Sequence, residues 1–227
     1  MPVLAIGLIA AGNQLTAANM SLYGGNEGLV NLTSGDNNVA VGDQSLADTT
    51  TGSQNTAIGE MSLKSNTTGA GNTALGRFSL YSNTTGGDNV AVGVGALTAN
   101  IEGSQNTAIG SAAGSNNVLG TGNVFIGYMA GSQTSGSNML VIDNSSTNTP
   151  LIYGDFAQDS VTVNGTLNVT GGLNVATMGM DEIVSTTGQR LLSYDQATGA
   201  VHIGQSSMVF YDSSGAVGNG TDIMASS

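Results

Sequence analysis

Apolar side chains between residues 35 and 131 come in short bursts. The bursts are NVAVG (38–42), NTAIG (55–59), NTALG (72–76), NVAVG (89–93), NTAIG (106–110) and NVFIG (123–127). Each is too short for a helix and reads as a minimal strand. Strand alternation puts Val39 with Val41, Thr56 with Ile58 and Thr73 with Leu75 on one face, and Ala40, Ala57, Ala74, Ala91 and Ala108 on the other. Taking the larger, branched face as the inward one leaves a smooth column of alanines outside. Leu46, Leu63, Leu80 and Leu97 add one more apolar group after each burst.

The bursts recur with a 17-residue period, without insertion, across six copies that begin at Gly35, Gly52, Gly69, Gly86, Gly103 and Gly120. Asn38, Asn55, Asn72, Asn89, Asn106 and Asn123 form a second invariant column. Gly42, Gly59, Gly76, Gly93, Gly110 and Gly127 form a third. A constant period is what stacking demands: each coil lies about 4.8 Å above its predecessor, and an insertion would break every column. The fold class expected is therefore all-β, a parallel β-solenoid or β-roll with 17-residue coils. Leu29, one full period before Leu46, marks a worn coil ahead of the first clean copy. The asparagines predict an amide ladder along the axis. The links SNTTG at 65–69 and 82–86 predict turns. Three apolar groups per coil make a thin core against the entropy of ordering the whole coil. Side-by-side association of identical chains along the alanine stripe is expected in compensation.

Composition narrows the function. The chain has 227 residues, 35 of them glycine, and carries 15 carboxylates against three cations, Lys64, Arg77 and Arg190. Three cations are too few to neutralise a nucleic-acid backbone or hold an anionic membrane, so neither is an expected partner. Without cysteine no disulfide or thiolate metal site forms.

Outside the repeats the chain divides into three further regions. Residues 1–34 hold the main apolar run, VLAIGLIAA (3–11), about half the length that spans a bilayer. No basic region precedes it, so neither membrane insertion nor a secretion signal is expected. Val3, Leu4, Ile6, Leu8 and Ile9 read as a docking segment or a buried element. Residues 136–175 read as a β-rich transition with alternating Val161, Val163, Leu167, Val169, Leu173 and Val175. Residues 176–227 read as a small terminal β module, with strands flanking a turn at Ala197–Gly199. Arg190, Tyr194, Phe210 and Tyr211 cluster there.

Catalytic chemistry is sparse. His202 is the single histidine, and neither Ser206 nor Ser207 sits in a nucleophile motif. Asp155 with Asp159, and Asp181 with Glu182, are the carboxylate pairs open to glycoside hydrolysis. Asp36, Asp43, Asp48 and Asp88 form no column for regular metal stacking. No cofactor and no metal are expected, and the chain is not expected to be an enzyme. An ice-binding threonine face is disfavoured because valines interrupt Thr56, Thr73 and Thr107 in their column.

The Asn-x-Ala-x-Gly pentads at 38–42, 55–59, 72–76, 89–93 and 106–110 resemble the head repeats of YadA-type trimeric autotransporter adhesins. The longer pattern GxxNTAIGxxSLxSNTTG is similar to repeats of bacteriophage tail fibres, cyanophage fibres among them. So are the following segments SNMLVIDNSSTNTPLIYGDF (137–156) and VTVNGTLNVTGGLNV (161–175). Residues 171–227 carry neither heptads nor a strand series for an anchoring barrel, which favours the phage family. That resemblance implies an intertwined homotrimeric fibre of the virion, outside the host cell. Residues 1–34 would attach to a tail, baseplate or adaptor protein, and residues 176–227 would meet a host surface glycan or protein. The receptor-contact candidates are then Arg190, Tyr194, Phe210 and Tyr211, and the attachment candidates are Val3, Leu4, Ile6, Leu8 and Ile9. Two alternatives stay open, a tail-associated polysaccharide depolymerase and a purely architectural tail or baseplate component.

Overall fold

A computed structural model of the chain describes residues 6–10, 20–168 and 170, and short strands within 182–218. Every regular element among them is a β-strand. The chain forms two compact units, residues 1–167 and 168–227.

The first unit is one sheet of 11 strands that lie in chain order. It starts with β1 (Ile6–Ala10) and β2 (Met20–Gly24). The repeat strands follow as β3 (Val39–Val41), β4 (Thr56–Ile58), β5 (Thr73–Leu75), β6 (Val90–Val92), β7 (Thr107–Ile109) and β8 (Val124–Ile126). It ends with β9 (Met139–Ile142), β10 (Ile152–Asp155) and β11 (Ser160–Val163). From β2 to β9 every neighbour is parallel. The register is fixed: Ala40 lies beside Ala57, Ala57 beside Ala74, Ala74 beside Ala91 and Ala91 beside Ala108.

The 17-residue repeat is thus a β-solenoid, and its coils close within a single chain. Coil-to-coil backbone hydrogen bonds continue well beyond the strands. The Leu63 N–H donates to the Ser79 carbonyl at 3.0 Å, Ser65 to Tyr81 at 3.1 Å and Thr67 to Thr84 at 2.9 Å. Because β2 pairs with β3 at the same 17-residue offset, the stack begins with β2, ahead of the first clean repeat, and Leu29 is buried in the leucine column.

The inward and outward faces are the reverse of the sequence expectation. Ala40, Ala57, Ala74, Ala91 and Ala108 have no exposed surface, whereas Val41, Ile58, Leu75, Ile109 and Ile126 are 37–45% exposed. The coil is narrow, and its interior is shared by the alanine and leucine columns, a column of small residues at Ser45, Ser62, Ser79, Ala96, Ala113 and Ala130, and buried asparagines. A larger side chain at the alanine position would collide with leucine. The alanine stripe is therefore the core and not a contact surface for other chains.

Within the six repeats, a large residue enters the alanine column once and tests this packing. Phe125 stands beside Ala108 in the register and is fully buried. The leucine column becomes glycine in the two coils around it, at Gly114 and Gly131. A Cβ on Gly114 would come within 2.5 Å of Phe125 Cδ2, and one on Gly131 would strike the same ring. The ring takes the volume of the missing leucines, so the interior stays filled by exchange across the coil.

The stack ends by a change of sequence. Val124 pairs with Leu140, a 16-residue step, and Met139 stands where the asparagine column would continue. The chain then runs antiparallel through β9, β10 and β11. At the other end β1 pairs antiparallel with β2. Both ends of the parallel stack are thus closed by antiparallel strands.

The second unit contains an antiparallel sheet of β12 (Glu182–Val184), β13 (Arg190–Asp195) and β14 (Ala200–Ile203). It also holds a two-strand pair of β15 (Phe210–Tyr211) and β16 (Val217–Gly218). The predicted turn at 197–199 falls between β13 and β14 and lies outside the described residues.

The exchange at Phe125 predicts strong coupling. Phe125→Ala should destabilise the chain by about 3–5 kcal/mol, and Gly131→Leu, by overpacking, by about 1–3 kcal/mol. The double variant restores the pattern of the earlier coils, so its loss in urea denaturation should fall short of the sum by at least about 1 kcal/mol. Additive losses would mean that the two positions do not share one space.

Candidate functional site

Two amide ladders run through the shaft. In the first, Asn55 Nδ2 donates to Asn38 Oδ1 at 3.1 Å and to the Gly69 carbonyl at 2.9 Å, while Asn38 Oδ1 also accepts the Asn55 backbone N–H at 3.0 Å. The same set recurs at Asn72, Asn89 and Asn106. Asn123 closes the ladder: its N–H donates to Asn106 Oδ1, and its own Oδ1 accepts the Met139 N–H at 2.9 Å.

The second ladder escaped the sequence reading, which took its residues as turn formers. Asn83 Nδ2 donates to Asn66 Oδ1, and Asn100 Nδ2 to Asn83 Oδ1, both at 2.8 Å; Asn117 continues the column. Each also donates to the glycine carbonyl that opens the next repeat. The signal was present in the 17-residue spacing of Asn66, Asn83, Asn100 and Asn117. Their place in SNTTG-like links hid it. Below Asn66 the column holds Thr49, whose buried hydroxyl has no partner among the described residues.

The corner column Gly42, Gly59, Gly76, Gly93, Gly110 and Gly127 serves the stacking in another way. Its φ values lie between 117° and 140°, a region closed to side chains. A Cβ on Gly59 would also lie 2.6 Å from the Gly76 carbonyl carbon, so only glycine lets successive corners touch.

The shaft shows two different outward surfaces. On the strand side Val41, Ile58, Leu75, Val92, Ile109 and Ile126 form an unbroken aliphatic column. Past the glycine corners, the second and third repeats carry a polar and aromatic patch. Arg77 Nε donates to Glu60 Oε2 at 3.0 Å, and its guanidinium lies 4.1 Å from the Phe78 ring centroid. Phe78 meets Tyr81 edge-on at 5.6 Å, and the Lys64 ammonium stands 5.9 Å from the Tyr81 ring. Sequence reading missed this patch, because Glu60 with Arg77 and Lys64 with Tyr81 are neighbours only once coils stack.

The expected contact residues fall as follows. Arg190 and Tyr194 lie on β13, and Phe210 and Tyr211 on β15; their side chains lie outside the described residues. Ile6, Leu8 and Ile9 lie on β1, with Leu8 opposite Leu22, while Val3 and Leu4 lie outside the described residues. Asp155 Oδ1 accepts the N–H groups of Ala157 and Gln158, so it caps the turn between β10 and β11, and Asp159 holds a φ of 51° in that turn. Glu182 and His202 lie on β12 and β14, and Asp181, Ser206 and Ser207 lie outside the described residues. Among the described residues no group of three or more acidic, histidine or cysteine side chains could hold a metal, and no helix is long and apolar enough to cross a membrane.

No protein-family model matches this chain, and no curated protein or solved structure matches it either.

The ladder predicts where polar substitution is costly. Asn72→Leu takes the acceptor from the buried Asn89 backbone N–H and removes the donor shared by Asn55 Oδ1 and the Gly86 carbonyl. It should lower stability by at least about 2 kcal/mol, whereas the exposed Thr68→Ala should stay within about 0.5 kcal/mol of wild type. Equal effects in chemical denaturation would remove the ladder from the determinants of stability.

Proposed function

We propose that the chain is a structural virion protein, a homotrimeric phage tail fibre or related spike that mediates adhesion to the host cell. The observation that carries the reading is the stiff, in-register shaft with a continuous aliphatic column on its strand side. Six repeats at strand spacing give about 29 Å of such surface. An apolar column with a pitch of about 4.8 Å is best met by a surface of the same pitch. Parallel copies of this chain supply one, since each sets Ile58 and Leu75 at the same interval. Burying the column removes from water the groups that the narrow coil cannot take inside. The number three comes from the resemblance of the repeats to trimeric fibres and adhesins.

In this reading residues 1–34 attach the trimer to a tail, baseplate or adaptor protein, and the coils set reach. Residues 176–227 meet a host glycan or protein through Arg190, Tyr194, Phe210 and Tyr211. Several fibres on one particle would convert weak single contacts into firm adsorption.

Native mass spectrometry should give three times the 22.5 kDa of one chain. Ile58→Asp with Leu75→Asp should release single chains whose far-UV circular dichroism is unchanged, because both side chains point outward. A single-chain mass for wild type overturns the association. An antibody against the shaft should decorate the tails of virions made from the genome that encodes this chain; unlabelled virions overturn the fibre assignment.

A further inference from the structure

We infer that the side of the shaft carries a saccharide-binding site, built by Glu60, Lys64, Arg77, Phe78 and Tyr81. Three independent observations converge on it. The first is charge. Lys64 and Arg77 are the two cations of the 227-residue chain that precede Arg190, and stacking sets them on adjacent coils of a molecule with 15 carboxylates. The second is the aromatic pair. Phe78 and Tyr81 meet edge-on, each with a cation beside its ring, and both remain partly open to solvent. The positive φ of Phe78, 59°, belongs to the coil and not to the patch, since Met61, Gly95 and Ala112 at the same position hold 56°, 66° and 55°.

The third observation is space. Directly after the aromatic coil the columns shrink. Gly95 and Ala112 succeed Phe78, and Thr98 and Ser115 succeed Tyr81. A Cβ placed on Gly95 would meet nothing within 4 Å. The aromatic pair therefore stands as a step above an open shelf of small residues. Phe78 and Tyr81 are half-buried, and Gly95 in the next coil adds no side chain to complete their cover.

The chemistry of the step suits a sugar ring. The axial C–H bonds of a pyranose carry partial positive charge and meet the negative face of an aromatic ring. Glu60 can accept hydroxyl hydrogen bonds, while Arg77 and Lys64 donate to ring substituents, each bond strengthened by the charge on the protein group. Glu60 already fixes the guanidinium, so Arg77 is preorganised. Lys64 makes no ion pair among the described residues and is available to a uronic carboxylate. A trimer would repeat the step on each shaft, and so gain from multivalency. As a host contact the step rests on the adhesion reading and adds the shaft to the terminal module, although sugar binding by the step itself needs only one folded chain.

The test is retention of the full-length protein on an array of neutral and uronic-acid-containing bacterial oligosaccharides. Saturation-transfer NMR then follows the oligosaccharides retained. Wild type should retain at least one, with the Phe78 and Tyr81 ring protons transferring to it. Phe78→Ala and Tyr81→Ala should each weaken binding at least tenfold. Gly95→Asn, which tolerates positive φ and fills part of the shelf, should weaken it about threefold or more. Lys64→Gln should reduce only the uronic-acid members if a carboxylate is bound, and all retained members equally if the ammonium serves hydroxyls. All variants should keep the wild-type circular dichroism. The site is overturned if wild type retains no member, or if the two aromatic variants bind as wild type does. Sugar binding by a protein of single-chain mass would uphold the site and reject the trimer.

Discussion

Each inner asparagine of the first ladder, Asn55, Asn72, Asn89 and Asn106, answers to partners in the coils on either side of it. Its amide nitrogen reaches down to the preceding asparagine and across to a glycine carbonyl, and its oxygen accepts from the coil above. A buried amide without those partners carries a large desolvation penalty. A single insertion or deletion in any coil would shift the next asparagine off its column and leave that penalty uncompensated. The constant 17-residue period follows from this, and so do the glycines that let coils approach closely enough for the amides to meet.

The same constraint decides what the core can be. With an amide ladder on each of two columns, the space left in a coil holds one leucine and two small residues, the strand alanine and the serine or alanine that precedes the leucine. Phe125 obeys the rule through the glycines at 114 and 131. Where the rule is dropped, the stack stops: the asparagine column reaches Met139, the step between coils shortens, and the sheet turns antiparallel. The end of the shaft is thus written as a loss of ladder chemistry and not as a separate breaker.

A core so tightly allotted forces the remaining large aliphatic groups outward. Val41, Ile58, Leu75, Ile109 and Ile126 are exposed because the coil interior has no volume for them. That surface bears on how the shaft meets its surroundings, whereas the patch around Phe78 breaks the regularity of the coils in a single place. An outward departure of this kind stands out as a candidate site, because no packing exchange such as the one at Phe125 accounts for it.

The solenoid, its period, the first asparagine ladder and the corner glycines were legible in the sequence, since each is a property of equivalent positions one period apart. The faces of the strand were not. Larger apolar residues ordinarily point inward, yet Asn55 and Ala57 share one parity of the strand, and the buried ladder carries the alanine inside with it. The second ladder stayed hidden because asparagine in an SNTTG link has a sufficient local explanation as a turn former. The step of Glu60, Lys64, Arg77, Phe78 and Tyr81 could be assembled only in three dimensions. Its members are set beside one another by coil closure, and a distance along the chain does not tell which side of a coil a residue will occupy.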